Sequence, residues 1–208
     1  MKMPRYLLKT HNSLEEYFGY RFTKSSETLG AIYIIRDPRN IVSSMSNHYS
    51  MNFNEAYNKM IDENASLSVK NSEGDLSNFS FLGSWSNHYK SWKNNFEFKT
   101  LFVKYEDLEE NAHDEFCKII TFIEELTGKN EPINKRKFKN AINSTNFSSL
   151  KQKEKLYGFK ESLTYKKDNK TNFFNLGFQN KWQQNLPEEI LSKIKDKFLN
   201  ELKELKYE

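Results

Sequence analysis

The stretch AIYIIRDPRNIVSS, residues 31–44, decides how this chain is read. Ile32, Tyr33, Ile34 and Ile35 form a short apolar, β-branched run of the kind that fills a buried strand. Arg36 follows at the carboxyl end of that strand. Asp37 suits a helix N-cap and Pro38 the first helical position, so a helix is expected to begin there. A guanidinium, the first free N–H groups of a helix and the hydroxyls of Ser43 and Ser44 would then share one small volume. Such a set suits a phosphate, which takes a fixed positive fork, a positive helix end and neutral donors. The same residues also describe an ordinary strand–helix corner with a surface arginine, and local sequence leaves both open.

Further motifs lie on either side. In residues 5–11, RYLLKTH, positions 6–8 read as a second short strand ending at Lys9, Thr10 and His11. In residues 81–92, FLGSWSNHYKSW, the spacing of Trp85, His88 and Trp92 puts all three on one helix face. An aromatic core stripe explains that face equally well, Trp92 above all. In residues 100–108, TLFVKYEDL, positions 101–103 read as a third buried strand followed by Tyr105. Glu106 and Asp107 lead into a turn and a helix capped by Asn111. In that helix Phe116, Ile119, Ile120, Ile123 and Leu126 recur at helical spacing, and Gly128 supplies the C-cap. A last helix runs from about Pro187 through Ile190, Ile194, Phe198, Leu202 and Leu205. Residues 66–80 and 151–170 are polar and read as loops or lids. Strands alternating with helices imply an α/β fold, a parallel sheet flanked by helices with its site at the strands' carboxyl ends.

Taken together and in order, these segments resemble the PAPS-dependent sulfotransferases. In that family a strand ends in Arg and a Ser follows eight residues later, as Arg36 and Ser44 do here; the pair holds the 3′-phosphate of the cofactor. The resemblance makes Lys-Thr-His at residues 9–11 the catalytic segment, with His11 as base and Lys9 beside the transferred group. The chemistry suits them: an attacking hydroxyl or amine must lose a proton, and imidazole titrates near neutral pH. Lysine can offset charge growing on the leaving phosphate. Tyr105, Thr145 and Phe147 match positions that contact the adenine, although Tyr105 also reads as a half-buried packing residue. The segment NFFNLGFQNKW, residues 172–182, resembles a cofactor-binding loop, which adds Phe173, Phe174 and Gly177 to the cofactor set. His88 and Trp85 fall on the acceptor side.

Two departures stand out. The family's Arg-Lys pair in that loop is replaced by Asn175 and Leu176, with Lys181 near enough in sequence to compensate partly. Nothing matches the P-loop-like turn that holds the 5′-phosphosulfate: the seven glycines are dispersed and spell neither GxxxxGK[ST] nor GxGxxG. The expectation is therefore a P-loop-NTPase-like sulfotransferase fold that is N-terminally incomplete, one domain over residues 1–208. Its function is sulfuryl transfer from PAPS, leaving PAP, to a small-molecule, lipid or carbohydrate acceptor. The rival is a non-catalytic nucleotide-binding or interaction remnant of the same fold.

Composition adds bounds. At 208 residues the chain is long enough for one core. Mean hydropathy is low, −0.85, but 17 Phe and 11 Tyr supply large apolar surfaces. A net charge of +4 spread over 32 basic and 28 acidic side chains is too mild to argue nucleic acid. The KRKFK run at residues 135–139 reads as a solvated helix face. Cys117 is the only cysteine, which agrees with a reducing, cytoplasmic compartment. No apolar run reaches membrane-span length, and His11, His48, His88 and His113 show no metal-ligand spacing.

Overall fold

The computed structural model describes residues 5–67, 79–129, 132–159 and 172–208. Its centre is a parallel pair, β1 (Gly30–Ile35) and β4 (Lys99–Lys104), in register from Gly30 opposite Lys99 to Ile35 opposite Lys104. Arg36 and Tyr105 therefore leave adjacent strands at the same end of the sheet. Between these strands run α1 (Pro38–His48), α2 (Phe53–Ile61), the short β2 (Ser66–Leu67) and β3 (Ser80–Phe81), and α3 (Trp85–Lys93). After β4 come α4 (Tyr105–Glu110), α5 (Ala112–Thr127), α6 (Lys135–Thr145), α7 (Phe147–Tyr157), α8 (Trp182–Asn185) and α9 (Glu188–Glu204).

Helix α1 starts where the Asp-Pro pair predicts. The Asp37 carboxylate accepts the Arg39 N–H at 2.9 Å and Pro38 opens the helix. The last helix also forms as its periodicity predicts. Ile190, Ile194, Phe198 and Leu202 are at most 2% exposed and pack with Val42 of α1 and Ala56 and Met60 of α2. Burying four such side chains contributes roughly 1.5–3 kcal/mol each, so this three-helix core is what fixes α1, and with it the Arg36 corner. Gly128 ends α5 with φ +65°, the left-handed conformation that glycine adopts without steric cost.

Four expectations are corrected. Residues 6–8 form no strand, and Tyr6, Leu7 and Leu8 are 79, 86 and 79% exposed; apolar, β-prone residues make a strand only with a neighbour to pair with. Residues 105–110 are helical rather than a turn, so Tyr105 opens α4 directly from β4. Asn111 occupies the cap position of α5 without a side-chain capping bond, and the apolar stripe of that helix is only partly covered, Phe116 and Ile123 remaining 37% exposed. Residues 151–157 belong to α7 instead of a loop; 160–170, and 68–78 of the other expected loop, lie outside the described residues. The basic run at 135–139 opens α6, where Lys135, Arg136, Lys137 and Lys139 are exposed and Phe138 packs on His113.

Candidate functional site

The β1–α1 corner brings Arg36, Ser44 and Tyr105 together. Arg36 Nη1 donates to Ser44 Oγ at 3.3 Å, and its guanidinium carbon sits 4.4 Å above the Tyr105 ring. A cation over an aromatic face is held by the ring quadrupole. Burial, and next the Glu109 carboxylate, push the Tyr105 phenol up to about 12, so that ring stays neutral. Arg36 Nε is buried with no hydrogen-bond partner among the described residues; Glu106 Oε1 stands at an ion-pair distance of 4.0 Å. Glu106 also accepts the Asp37 N–H at 3.2 Å and the Tyr207 hydroxyl at 3.0 Å. The corner thus already gathers one carboxylate around a guanidinium and the start of a helix, which is how such a corner receives anions.

The segment after Gly177 closes over α1. The Ser43 hydroxyl donates to Asn180 Oδ1 at 2.7 Å, while Asn180 Nδ2 donates to Asn40 O at 2.9 Å and Ser44 Oγ at 3.2 Å. Asn40 Oδ1 in turn accepts the Trp182 N–H at 3.0 Å. Beneath lies a buried pair: Arg39 Nε and Nη2 reach the two Asp37 oxygens at 2.9 and 2.7 Å, with the guanidinium 4.0 Å from the Trp182 ring. Sequence reasoning missed Asn180 and Arg39. The only signal for Arg39 was its place two residues after the capping Asp37. Asn180 meets Asn40 across 140 residues, a contact that no local pattern encodes.

Phe147, Phe174 and Gly177 form a second group. The Phe147 and Phe174 ring centroids are 6.0 Å apart, and a Cβ added at Gly177 would stand 2.7 Å from the Phe147 ring. Phe173 is 38% exposed and packs against Phe174 and His48. Glu154, on α7, accepts the N–H groups of Phe173 and Phe174 at 2.6 and 2.9 Å, which pins this aromatic stretch. Asn175 and Leu176 occupy the places of the expected cations, and Lys151 Nζ reaches Asn175 O at 2.7 Å. Thr145, in the last turn of α6, donates its hydroxyl to Ala141 O at 2.7 Å within its own helix.

Lys9 and His11 lie on an exposed, irregular segment. His88, by contrast, is engaged at both ring nitrogens: Nδ1 lies 2.8 Å from the Tyr33 hydroxyl and Nε2 lies 3.1 Å from the His11 carbonyl. Burial holds its imidazole below the ordinary range. Trp85 packs edge-on against Phe198, at 5.0 Å, and stacks with Tyr89. Among the described residues no group of three or more His, Cys, Asp or Glu side chains is placed to hold a metal ion, and no helix is long and apolar enough to cross a membrane.

Residues 1–206 match the family model described as the sulfotransferase domain. The chain belongs to the sulfotransferase-domain family. Among solved structures it is similar to mouse sulfotransferase SULT7A1 complexed with PAP, at 19% identity and a TM-score of 0.53. The match covers 83% of this chain and 58% of that one. Identity this low speaks for the fold alone: the chain has the α/β sulfotransferase fold, and it spans less than two thirds of that structure's length. No curated protein matches it.

Proposed function

We propose that this protein is a PAPS-dependent sulfotransferase, transferring a sulfuryl group to a hydroxyl or amine on a small-molecule, lipid or carbohydrate acceptor in the cytoplasm. The observation that carries this reading is the Arg36 corner. A guanidinium at the end of β1 is bonded to Ser44 and stacked on Tyr105, and its Nε is buried without a hydrogen-bond partner among the described residues. An orphaned buried donor costs about 1–3 kcal/mol, which an anion arriving at that nitrogen would recover. The donor set therefore fits the 3′-phosphate of the cofactor, with Tyr105, Phe147, Phe173 and Phe174 as flat surfaces for an adenine. PAPS supplies, when bound, the sulfuryl group and a bisphosphate that leaves as PAP. His11 takes the proton from the attacking acceptor, and Lys9 offsets negative charge on the leaving side. Gly177 offers its backbone N–H in the left-handed conformation that suits anion-binding concavities.

The test is calorimetry with adenosine 3′,5′-bisphosphate. Arg36→Ala should weaken binding by about 2 kcal/mol, the scale of a charge-assisted hydrogen bond. Adenosine 5′-monophosphate, which lacks the 3′-phosphate, should bind the wild type as weakly as the bisphosphate binds the variant. Equal affinity of wild type and Arg36→Ala for the bisphosphate would sink the assignment.

A second reading, a nucleotide-binding module without turnover, is favoured by one observation: nothing in the sequence matches the turn that holds the 5′-phosphosulfate. Labelled-sulfate transfer from PAPS to a phenol or sugar acceptor separates the readings. Turnover that His11→Ala abolishes supports the enzyme; bisphosphate binding without turnover supports the module.

A further inference from the structure

Helix α3 presents three polar groups on one face, His88, Ser91 and Trp92, and all three aim at the backbone of one short stretch, residues 11–14. His88 Nε2 meets His11 O at 3.1 Å, Trp92 Nε1 donates to Asn12 O at 3.1 Å, and Ser91 Oγ accepts the Leu14 N–H at 2.9 Å. The spacing explains the convergence, because residues three and four apart on a helix stand one above the other. Each group is itself oriented. The Ser91 hydroxyl donates to His88 O at 2.7 Å, which turns its lone pairs towards Leu14. A carbonyl only accepts, so His88 carries its proton on Nε2. Its Nδ1 then accepts from the Tyr33 hydroxyl, 2.8 Å away. Tyr33 lies on β1, three residues before Arg36.

We propose that α3 is a positioning clamp for the His11 segment: His88, Ser91 and Trp92 hold the backbone of residues 11–14 and so set where the His11 imidazole stands relative to the Arg36 corner. This rests on the reading of His11 as proton acceptor. His11 is exposed and outside any strand; its segment is tied to β3 by Ser13 N donating to Phe81 O and by Asn12 Oδ1 accepting the Phe81 N–H, and to α3 by these three side chains. An aromatic core stripe accounts for the Trp92 ring, which is 5% exposed. It does not account for two further polar groups on that face bonding to the same four-residue stretch. The relay from Tyr33 through His88 to the His11 carbonyl joins the strand that ends in Arg36 to the segment that carries the proton acceptor. His88 is then a positioning residue, with both ring nitrogens occupied by protein.

The experiment uses the 208-residue chain and two variants, Trp92→Phe and Tyr33→Phe. Amide exchange is followed at Ser13 and Leu14, with α9 amides as the control for global stability. Trp92→Phe removes no partner of either amide, because Ser13 N donates to Phe81 O and Leu14 N to Ser91. Faster exchange at both, with α9 unchanged, is expected of a clamp; unchanged exchange overturns it. The ¹⁵N signals of the His88 ring should show the proton on Nε2 in the wild type and a mixture of tautomers in Tyr33→Phe. A wild-type ring protonated on Nδ1 overturns the relay. In labelled-sulfate transfer, kcat should fall on the order of tenfold or more in Trp92→Phe while affinity for adenosine 3′,5′-bisphosphate is kept, since misplacing a reacting group costs rate rather than cofactor binding. Equal losses of kcat and nucleotide affinity would point to general unfolding and count against positioning. Where the wild-type chain binds the bisphosphate without turnover, the unmatched phosphosulfate-binding turn accounts for that result, and the exchange and ¹⁵N results decide the clamp by themselves.

Discussion

Asn180 Oδ1 accepts the Ser43 hydroxyl at 2.7 Å, so a loop from the far end of the chain is bonded to the helix that begins beside Arg36. Both residues are buried, and a buried hydroxyl that loses its partner costs about 1–3 kcal/mol. Asn180→Ala should therefore lower stability by about 2 kcal/mol in urea unfolding. Asn180→Asp keeps an acceptor for Ser43 but loses the donor to Asn40 O and Ser44 Oγ and sets a buried carboxylate oxygen against the Asn40 carbonyl, so it should cost at least as much as Asn180→Ala.

Gly177 has φ +57°, and an added Cβ would stand 2.7 Å from the Phe147 ring. Gly177→Ala meets both the left-handed penalty of roughly 1–2 kcal/mol and a clash with a ring. Phe147 must move, so the variant should lose stability and also weaken bisphosphate binding in calorimetry. Asn175→Ala, two residues earlier, should do neither beyond about 0.5 kcal/mol, because Asn175 bonds Phe173 O and Lys151 through its backbone N–H and carbonyl, which alanine keeps.

Tyr105 holds Arg36 by its ring face, not its hydroxyl. Tyr105→Phe keeps that face and should bind adenosine 3′,5′-bisphosphate nearly as well as the wild type. Tyr105→Leu forfeits it and should weaken binding by about 0.5–2 kcal/mol. Equal effects of the two variants would show that the hydroxyl matters instead.

Burial of the His88 imidazole holds its proton affinity below the ordinary value near 6.5, a drop that its bond to the His11 carbonyl opposes. As pH falls through about 6.5 the unfolded chain takes up a proton that the folded chain resists. The stability contribution is thus complete above that pH and is lost as the solution becomes more acid. Urea midpoints should fall between pH 7 and pH 5.5, and His88→Gln, although less stable at pH 7, should show a shallower slope over that range.

Ile194 is fully buried among α1, α2 and α9. Ile194→Ala should cost about 2–5 kcal/mol. Phe116→Ala on α5 removes a larger side chain that is 37% exposed, yet should cost less than Ile194→Ala, because part of its surface is already in water.

Residues alone determined the local frame. The run at residues 32–35 specified a strand, Asp37 and Pro38 specified where α1 begins, Gly128 where α5 ends, and the period of Ile190, Ile194, Phe198 and Leu202 which face of α9 is buried. Each is decided within a few residues by backbone sterics, capping and side-chain period, so each is legible in sequence. The spacing of Arg36 and Ser44 was legible for the same reason, both belonging to one strand–helix corner. Only the tertiary structure decided the rest. Tyr6, Leu7 and Leu8 have strand character but no pairing partner, and a ladder needs two strands. Tyr105 stacks on Arg36 because β1 and β4 lie side by side in parallel register. Asn180 caps the Ser43–Ser44 corner, and His88, Ser91 and Trp92 converge on residues 11–14. These meetings depend on elements distant in sequence being packed against one another, and no local pattern encodes that packing.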